Sequence, residues 1–266
     1  VAVDGRPPRQ TYRLIVADAD GEGARTVSES PLPLMSPAWS PDGEWLAYVS
    51  FESHSSAIWL QRVRTGERRR LLARPGINGS PAFEPTRGDR LAVTLSTVGG
   101  NLDIYLVALA DGALTRVTSD PAIDTEAVFS PDGRSLYFTS DRAGSPQIYR
   151  AEALANAPAK RMTFTGSYNA RPRLSPDGKQ LAMVTLAGGS YRVAVQDLAT
   201  GVVRQLTKGP LDESPSFAPN GAMLIYAGRD RGQGVLATVA IDGLTTQRLK
   251  ADEGEVREPV WGPRRP

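Results

Sequence analysis

Residues 36–50 read SPAWSPDGEWLAYVS, and the pattern returns as SPAFEPTRGDRLAVTLS at 80–96, EAVFSPDGRSLYFTSD at 126–141, RPRLSPDGKQLAMVTL at 171–186 and SPSFAPNGAMLIYAGRD at 214–230. A broken sixth copy, EPVWGP, occupies 258–263. The prolines of the shared turn are Pro41, Pro85, Pro131, Pro176, Pro219 and Pro263, spaced by 44, 46, 45, 43 and 44 residues. A fixed period of this length is the mark of a repeat architecture, and about 40–45 residues carrying four strands is one propeller blade.

Each unit supplies those four strands. The first ends at Trp39, Phe83, Phe129, Leu174, Phe217 or Trp261. The Pro-Asp-Gly that usually follows suits a tight turn, because proline presets φ and glycine accepts the left-handed region. The return strand is β-branched and aromatic, as in Leu46 to Val49, Leu136 to Thr139 and Leu224 to Tyr226, a pattern expected of a strand packed between sheets. A third strand (Ile104 to Val107, Val193 to Val195) ends at an Asp-Gly or Thr-Gly turn, and a fourth (Thr115 to Thr118, Arg204 to Thr207) completes the sheet. The C-terminal copy has only a first strand, Pro259 to Trp261, whereas the N-terminus opens with what the repeat makes strands two to four: Val1 to Val3, Tyr12 to Ala17 and Arg25 to Ser28. The fold expected is therefore all-β. It is a six-bladed β-propeller with four antiparallel strands per blade over residues 1–266 as a single domain, its ring closed by a blade shared between the N- and C-termini. Closure removes the exposed sheet edge of an open array.

Composition narrows the function classes. Thirty-one Lys and Arg against 29 Asp and Glu leave a net charge of +2, far from the basic footprint of a nucleic-acid binder. The run Arg68 to Arg70 reads as a solvated turn. The absence of cysteine excludes disulfides, thiolate zinc sites and cysteine nucleophiles. Apolar stretches such as Leu181 to Ala187 are strand-sized, too short for a spanning helix, so no membrane insertion is expected. No charged and apolar leader opens the chain, so any export signal is expected to have been removed. A monomer is expected.

In such a blade the first strand is innermost. The loop entering it and the loop between its second and third strands then open on one face around the channel. The incoming loops are polar and differ between blades, whereas the turns of the opposite face are nearly interchangeable; variation on a uniform scaffold is where specificity resides. The candidate partner-binding residues are Glu52, His54, Ile77, Asn78, Ser80, Asp124, Thr125, Glu126, Asn169, Arg171, Asp212, Glu213 and Glu258. Each taken singly is equally compatible with a solvated loop, in which Asp124 and Asp212 stabilise turns. No catalytic residue is expected: His54 is the one histidine, and no base oriented by a carboxylate accompanies a nucleophile. There is no G-x-S-x-G elbow. Asp18-Ala19-Asp20-Gly21 lacks the later acidic ligands of a calcium loop and aligns with hairpin turns. No cofactor is expected, although Asp124, Glu126, Asp212, Glu213 and Glu258 are candidates to converge on a cation such as calcium near the channel.

Longer blocks carry a family resemblance. Pro33 to Gly43 with Leu46 to Ser53, Thr139 to Arg142 with Pro146 to Tyr149, Gly166 to Asn169, Gln196 to Gly201, and Leu211 to Ser216 with Ala218 to Gly221 resemble, in order and at family spacing, the propeller of the TolB family. The resemblance runs from about Tyr12 to Trp261. It implies a non-enzymatic periplasmic hub of the Tol-Pal system, supporting outer-membrane integrity and cell division, whose channel-mouth face binds the peptidoglycan-associated lipoprotein Pal. Contacts implied by the family fall on Ile77 to Ser80 and Asp124 to Glu126. Relatives often place histidine where this chain has Ile77, which makes that contact apolar. The family's N-terminal α/β domain, and the N-terminal segment through which it engages TolA, are absent from these residues. The competing expectation is the gating propeller of a prolyl-oligopeptidase-like serine peptidase without its hydrolase domain.

Overall fold

The computed structural model describes residues 1–6, 9–96, 100–249 and 254–264. Within them lie six four-stranded antiparallel sheets and no helix. Blade one runs from Leu34 to Leu72, blade two from Asn78 to Arg116, blade three from Asp124 to Arg161, blade four from Asn169 to Gln205 and blade five from Asp212 to Arg248. Blade six joins Glu255–Val256 to Ala2–Arg6, Arg9–Val16 and Arg25–Ser30, with Ala2 opposite Val256 and Val3 opposite Glu255. The shared closing blade is thus present.

Its inner strand differs from expectation, because ladder pairing stops at Val256 and Pro259 to Trp261 form no strand. Register explains this. In blade one the equivalents of Val260 and Trp261, namely Ala38 and Trp39, pair with Ala47 and Leu46. In blade six the last backbone exchange is between Val1 and Arg257, each amine or amide donating to the other's carbonyl at 2.8 Å.

The second strand of each blade is the most buried, as with Ser135–Ser140, none of whose residues is exposed. Both of its faces pack on neighbouring sheets, which is why its centre is apolar, as at Leu136-Tyr137-Phe138. Buried clusters fill the wedges between blades six and one, one and two, two and three, three and four, and four and five. Between blades five and six, a cavity of about 200 Å³ is lined by Ile225, Leu236, Val256, Leu14 and Trp261 among others.

The Pro-Asp-Gly turns also stitch the ring. A Cβ on Gly88 would stand 2.9 Å from Pro41 Cγ of the preceding blade, and one on Gly43 3.3 Å from Pro263 Cγ across the closure. Glycine here serves both a left-handed φ, +66° at Gly88, and contact with the preceding blade.

Candidate functional site

In five blades the inner strand is interrupted at the channel. The pairing slips between Met35 and Ala38, Gly79 and Ala82, Thr125 and Val128, Ala170 and Arg173, and Glu213 and Ser216. These are β-bulges, which re-aim a side chain where a ladder would otherwise continue. Proline follows in five blades, at 37, 81, 172, 215 and 259; a bulge asks no ladder donor of it. Five residues before each turn proline, Ser36, Ser80, Glu126, Arg171, Ser214 and Glu258 have φ between 48° and 58°. A left-handed residue other than glycine costs about 1–3 kcal/mol, and such strain persists where the surroundings over-determine it. Six of them form a ring around the channel.

Charged members of that ring are tied across blades. Arg171 Nε lies 3.1 Å from Glu126 Oε1, and its Nη1 reaches Ser214 and stands 3.9 Å from Glu213 Oε2. Burial opposes the Arg171 charge, but Glu126, Glu213 and Glu258 outweigh it and hold the guanidinium more firmly protonated than usual. Glu126 Oε2 accepts from Thr139 Oγ1 at 3.1 Å, and Glu258 Oε2 accepts the Ser36 amide at 2.5 Å. Deeper in the channel, Arg173 carries no ion pair among the described residues; its Nη1 donates to the Pro172 carbonyl at 2.8 Å.

Four of the expected contact residues point elsewhere. Asn78, Asp124 and Asn169 are 0 % exposed and Asp212 is 3 % exposed. Asn78 accepts the Arg74 amide at 2.9 Å and donates to the Ser56 and Arg74 carbonyls. Asp124 takes Arg142 Nη2 on both oxygens, at 2.9 and 2.8 Å. Asn169 donates to Gln147 Oε1 and to the Thr165 carbonyl, and Asp212 accepts the Gly209 amide at 2.8 Å. These side chains set the shape of the incoming loops and leave no atom free at the surface. Convergence on a cation is not the arrangement found. Among the described residues no three His, Cys, Asp or Glu groups are placed to share a metal ion, because Asp124 and Asp212 turn into their own loops and Glu126 is engaged by Arg171.

Ser80, Thr125, Glu126, Arg171, Glu213 and Glu258 gather at or near the channel, and Ile77 is 49 % exposed at its mouth. Glu52 stands on an outer loop, bound by Arg68 at 2.7 and 2.9 Å, with that guanidinium 4.1 Å over the Trp59 ring. His54 is exposed in a turn with φ of 61°. Its imidazole meets no serine or carboxylate among the described residues, so no nucleophile and base are paired there.

Apart from Ile77, sequence reading missed the apolar side chains of this face. Eight residues before each turn proline come Pro33, Ile77, Ile123, Tyr168, Leu211 and Glu255. Ile123 is 48 % exposed, and Tyr168 packs edge-on against Tyr191 with centroids 5.1 Å apart. The amides of Ile77 and Ile123 are pinned to Ser96 Oγ at 2.7 Å and Asp141 Oδ1 at 2.8 Å. Aligning the repeats on their prolines exposes this position, which a residue-by-residue search for polar groups passes over.

The arrangement is an apolar collar around a charged, bulged centre. Comparison with known proteins bears on what such a face serves. The sequence profile of the TolB beta propeller domain matches residues 1–265. The Tol-Pal system protein TolB of Bordetella pertussis is 47% identical over 254 residues, 95% of this chain and 57% of that protein. Its counterpart in Xanthomonas oryzae pv. oryzae is 48% identical over 267 residues, 100% of this chain and 60% of that protein. The crystal structure of TolB from Acinetobacter baumannii superposes with a TM-score of 0.89 at 48% identity, covering 96% of this chain and 63% of that one. The chain thus spans about three fifths of the length of the curated relatives it matches.

Proposed function

Because this chain belongs to the TolB β-propeller family, we propose that it is the partner-binding propeller of a periplasmic Tol-Pal protein, a non-enzymatic hub whose channel-mouth face docks the lipoprotein Pal. In that role it supports outer-membrane integrity and cell division. The TolA contact belongs to the family's N-terminal segment and not to this face. The observation that carries the reading is the collar of Ile77, Ile123, Tyr168 and Leu211 around the strained ring at Arg171 and Glu126. Isolated exposed apolar residues are ordinary, but an apolar set rimmed by polar groups is the composition of a protein-binding patch. Rigid loops pinned by buried amides lower the ordering penalty of association. Family membership sets this reading above that of a peptidase's gating propeller.

Titration calorimetry with the soluble domain of Pal tests it. One-to-one saturable binding is expected. Ile77→Ala and Ile123→Ala, exposed and outside the core, should each weaken binding by about 1–3 kcal/mol while leaving the melting temperature unchanged. Absence of heat and of competition, or affinity indifferent to both substitutions, would remove Pal from this face.

A further inference from the structure

Arg173, a cation of the channel, has no ion-pair partner among the described residues. Arg173 lies three residues before its turn proline, and the equivalent positions in the other blades are Ala38, Ala82, Val128, Ser216 and Val260. All of these but Ser216 line a channel cavity of about 550 Å³, together with Trp39 and Trp261. The guanidinium therefore projects among small and apolar groups. Its Nη1 donates to the neighbouring Pro172 carbonyl, which leaves the Nε–Nη2 edge without an acceptor among the described residues.

The neighbours cannot supply one. Glu126 is engaged by Arg171 and Thr139, and Glu258 by the Ser36 amide. Both attract Arg173 from a distance, while Arg171 repels it. A buried charge without a contacting partner is costly, and the fork of a guanidinium fits both oxygens of a carboxylate or related oxyanion.

We propose that the central channel binds a small oxyanion of the carboxylate class on the free Nε–Nη2 edge of Arg173. The two arginines of blade four make the channel a receptor for an anion rather than for a divalent cation. Carboxylate carbon lies in the guanidinium plane, one oxygen accepting from Nε and the other from Nη2. The apolar wall formed by Ala38, Ala82, Val128 and Val260 offers no competing donor, so selectivity rests on the one fork. This site lies below the mouth and stands whether or not the mouth binds Pal.

Thermal unfolding in rising sodium acetate provides the test, since a ligand bound only by the folded state raises its melting temperature saturably. The parent protein is expected to show that rise, Arg173→Met only the general salt effect, and Arg173→Lys a smaller rise, because an ammonium is a point charge without a fork. Equal shifts in the parent and Arg173→Met would mean an adventitious ion only. A rise with calcium chloride and none with acetate would overturn the proposal in favour of a cation. If Arg173→Met fails to fold, iodide quenching of tryptophan fluorescence in the parent decides. Trp39 and Trp261 share the cavity, so acetate should protect against iodide but not against caesium, and no protection would overturn the site.

Discussion

Glu84 stands where blades one, three and four place Ser40, Ser130 and Ser175 before the turn proline. Those serines bond the aspartate of Pro-Asp-Gly, as Ser130 does with Asp132 at 2.6 Å and Ser175 with Asp177 at 2.6 Å. Blade two has one more residue in its turn, and Glu84 reaches over it. Its carboxylate accepts the amides of Thr86, Arg87 and Gly88 at 3.1, 2.7 and 3.1 Å, and the Thr86 hydroxyl at 2.5 Å. Burial, the largest influence, favours the neutral acid, but these four donors together outweigh it and hold the Glu84 carboxyl below the usual range. A carboxyl whose folded pKa is depressed contributes stability above its unfolded value, near 4.5, and loses it as pH falls through the folded one. Glu84→Gln should therefore be less stable at neutral pH by about 1.5–3 kcal/mol, the worth of hydrogen bonds to a charged group. Denaturant titrations of the two proteins should converge below the ordinary glutamate pKa. Parallel curves across that range would mean that Glu84 is protonated together with the exposed carboxylates. The departure of this turn from Pro-Asp-Gly was visible in the repeat; its ionised, fully bonded state was not, because it depends on amides that only the folded turn brings together.

Among the elements, the incoming loops owe their shape to side chains that composition would place outside. Asn78, Asp124, Asn169 and Asp212 are polar and stand beside turns, so a sequence reading puts them at the surface. Their burial follows from a regularity one level up: seven residues before each turn proline, the inner strand turns its side chain under the loop that enters it. The blade-three example is the most charged. Arg142 bonds Asp124, donates from Nε to Ser140 Oγ at 2.9 Å, and lies 4.8 Å over the Tyr149 ring. Removing one member of a buried pair leaves an uncompensated charge, a loss of about 3–5 kcal/mol, whereas replacing both by apolar groups is often neutral. Arg142→Met should fall in that range by urea denaturation, and adding Asp124→Leu should restore most of it. Loop residues 117–123 should exchange amide hydrogens faster in the single variant, since the loop that carries Ile123 loses its anchor. A near-neutral Arg142→Met would mean that Asp124 keeps its ordinary hydration. The ring of left-handed residues was equally silent in the sequence: serine, glutamate and arginine do not announce a positive φ as glycine does, and the constraint comes from the bulge and the proline after it.

For the molecule as a whole, the repeat spacing was enough to specify six blades and their closure, because propeller geometry follows from the period alone. It did not specify how firmly the last wedge is sealed, since that depends on register within the shared blade. Five interblade wedges are filled by buried clusters, while the sixth holds a cavity of about 200 Å³. Among the described residues, two ladder pairs, Ala2 with Val256 and Val3 with Glu255, and the reciprocal Val1–Arg257 bonds join the two ends of the chain, against six ladder pairs between Ser135–Ser140 and Gln147–Glu152 inside blade three. Trp261 Nε1 is buried there without an acceptor among the described residues, a further loss at the same seam. Local opening follows low contact density and few buried apolar groups, so the ring should open between blades five and six before any other wedge. Hydrogen exchange read by mass spectrometry should show peptides over Ala2–Arg6 and Glu255–Val256 exchanging well before Ser135–Ser140 or Gln180–Ala187. At low denaturant the difference should widen as the seam frays and the other wedges hold. Uniform protection around the ring would mean instead that the two closing pairs couple all six blades into one cooperative unit, and that the cavity between blades five and six is no weaker than the filled wedges.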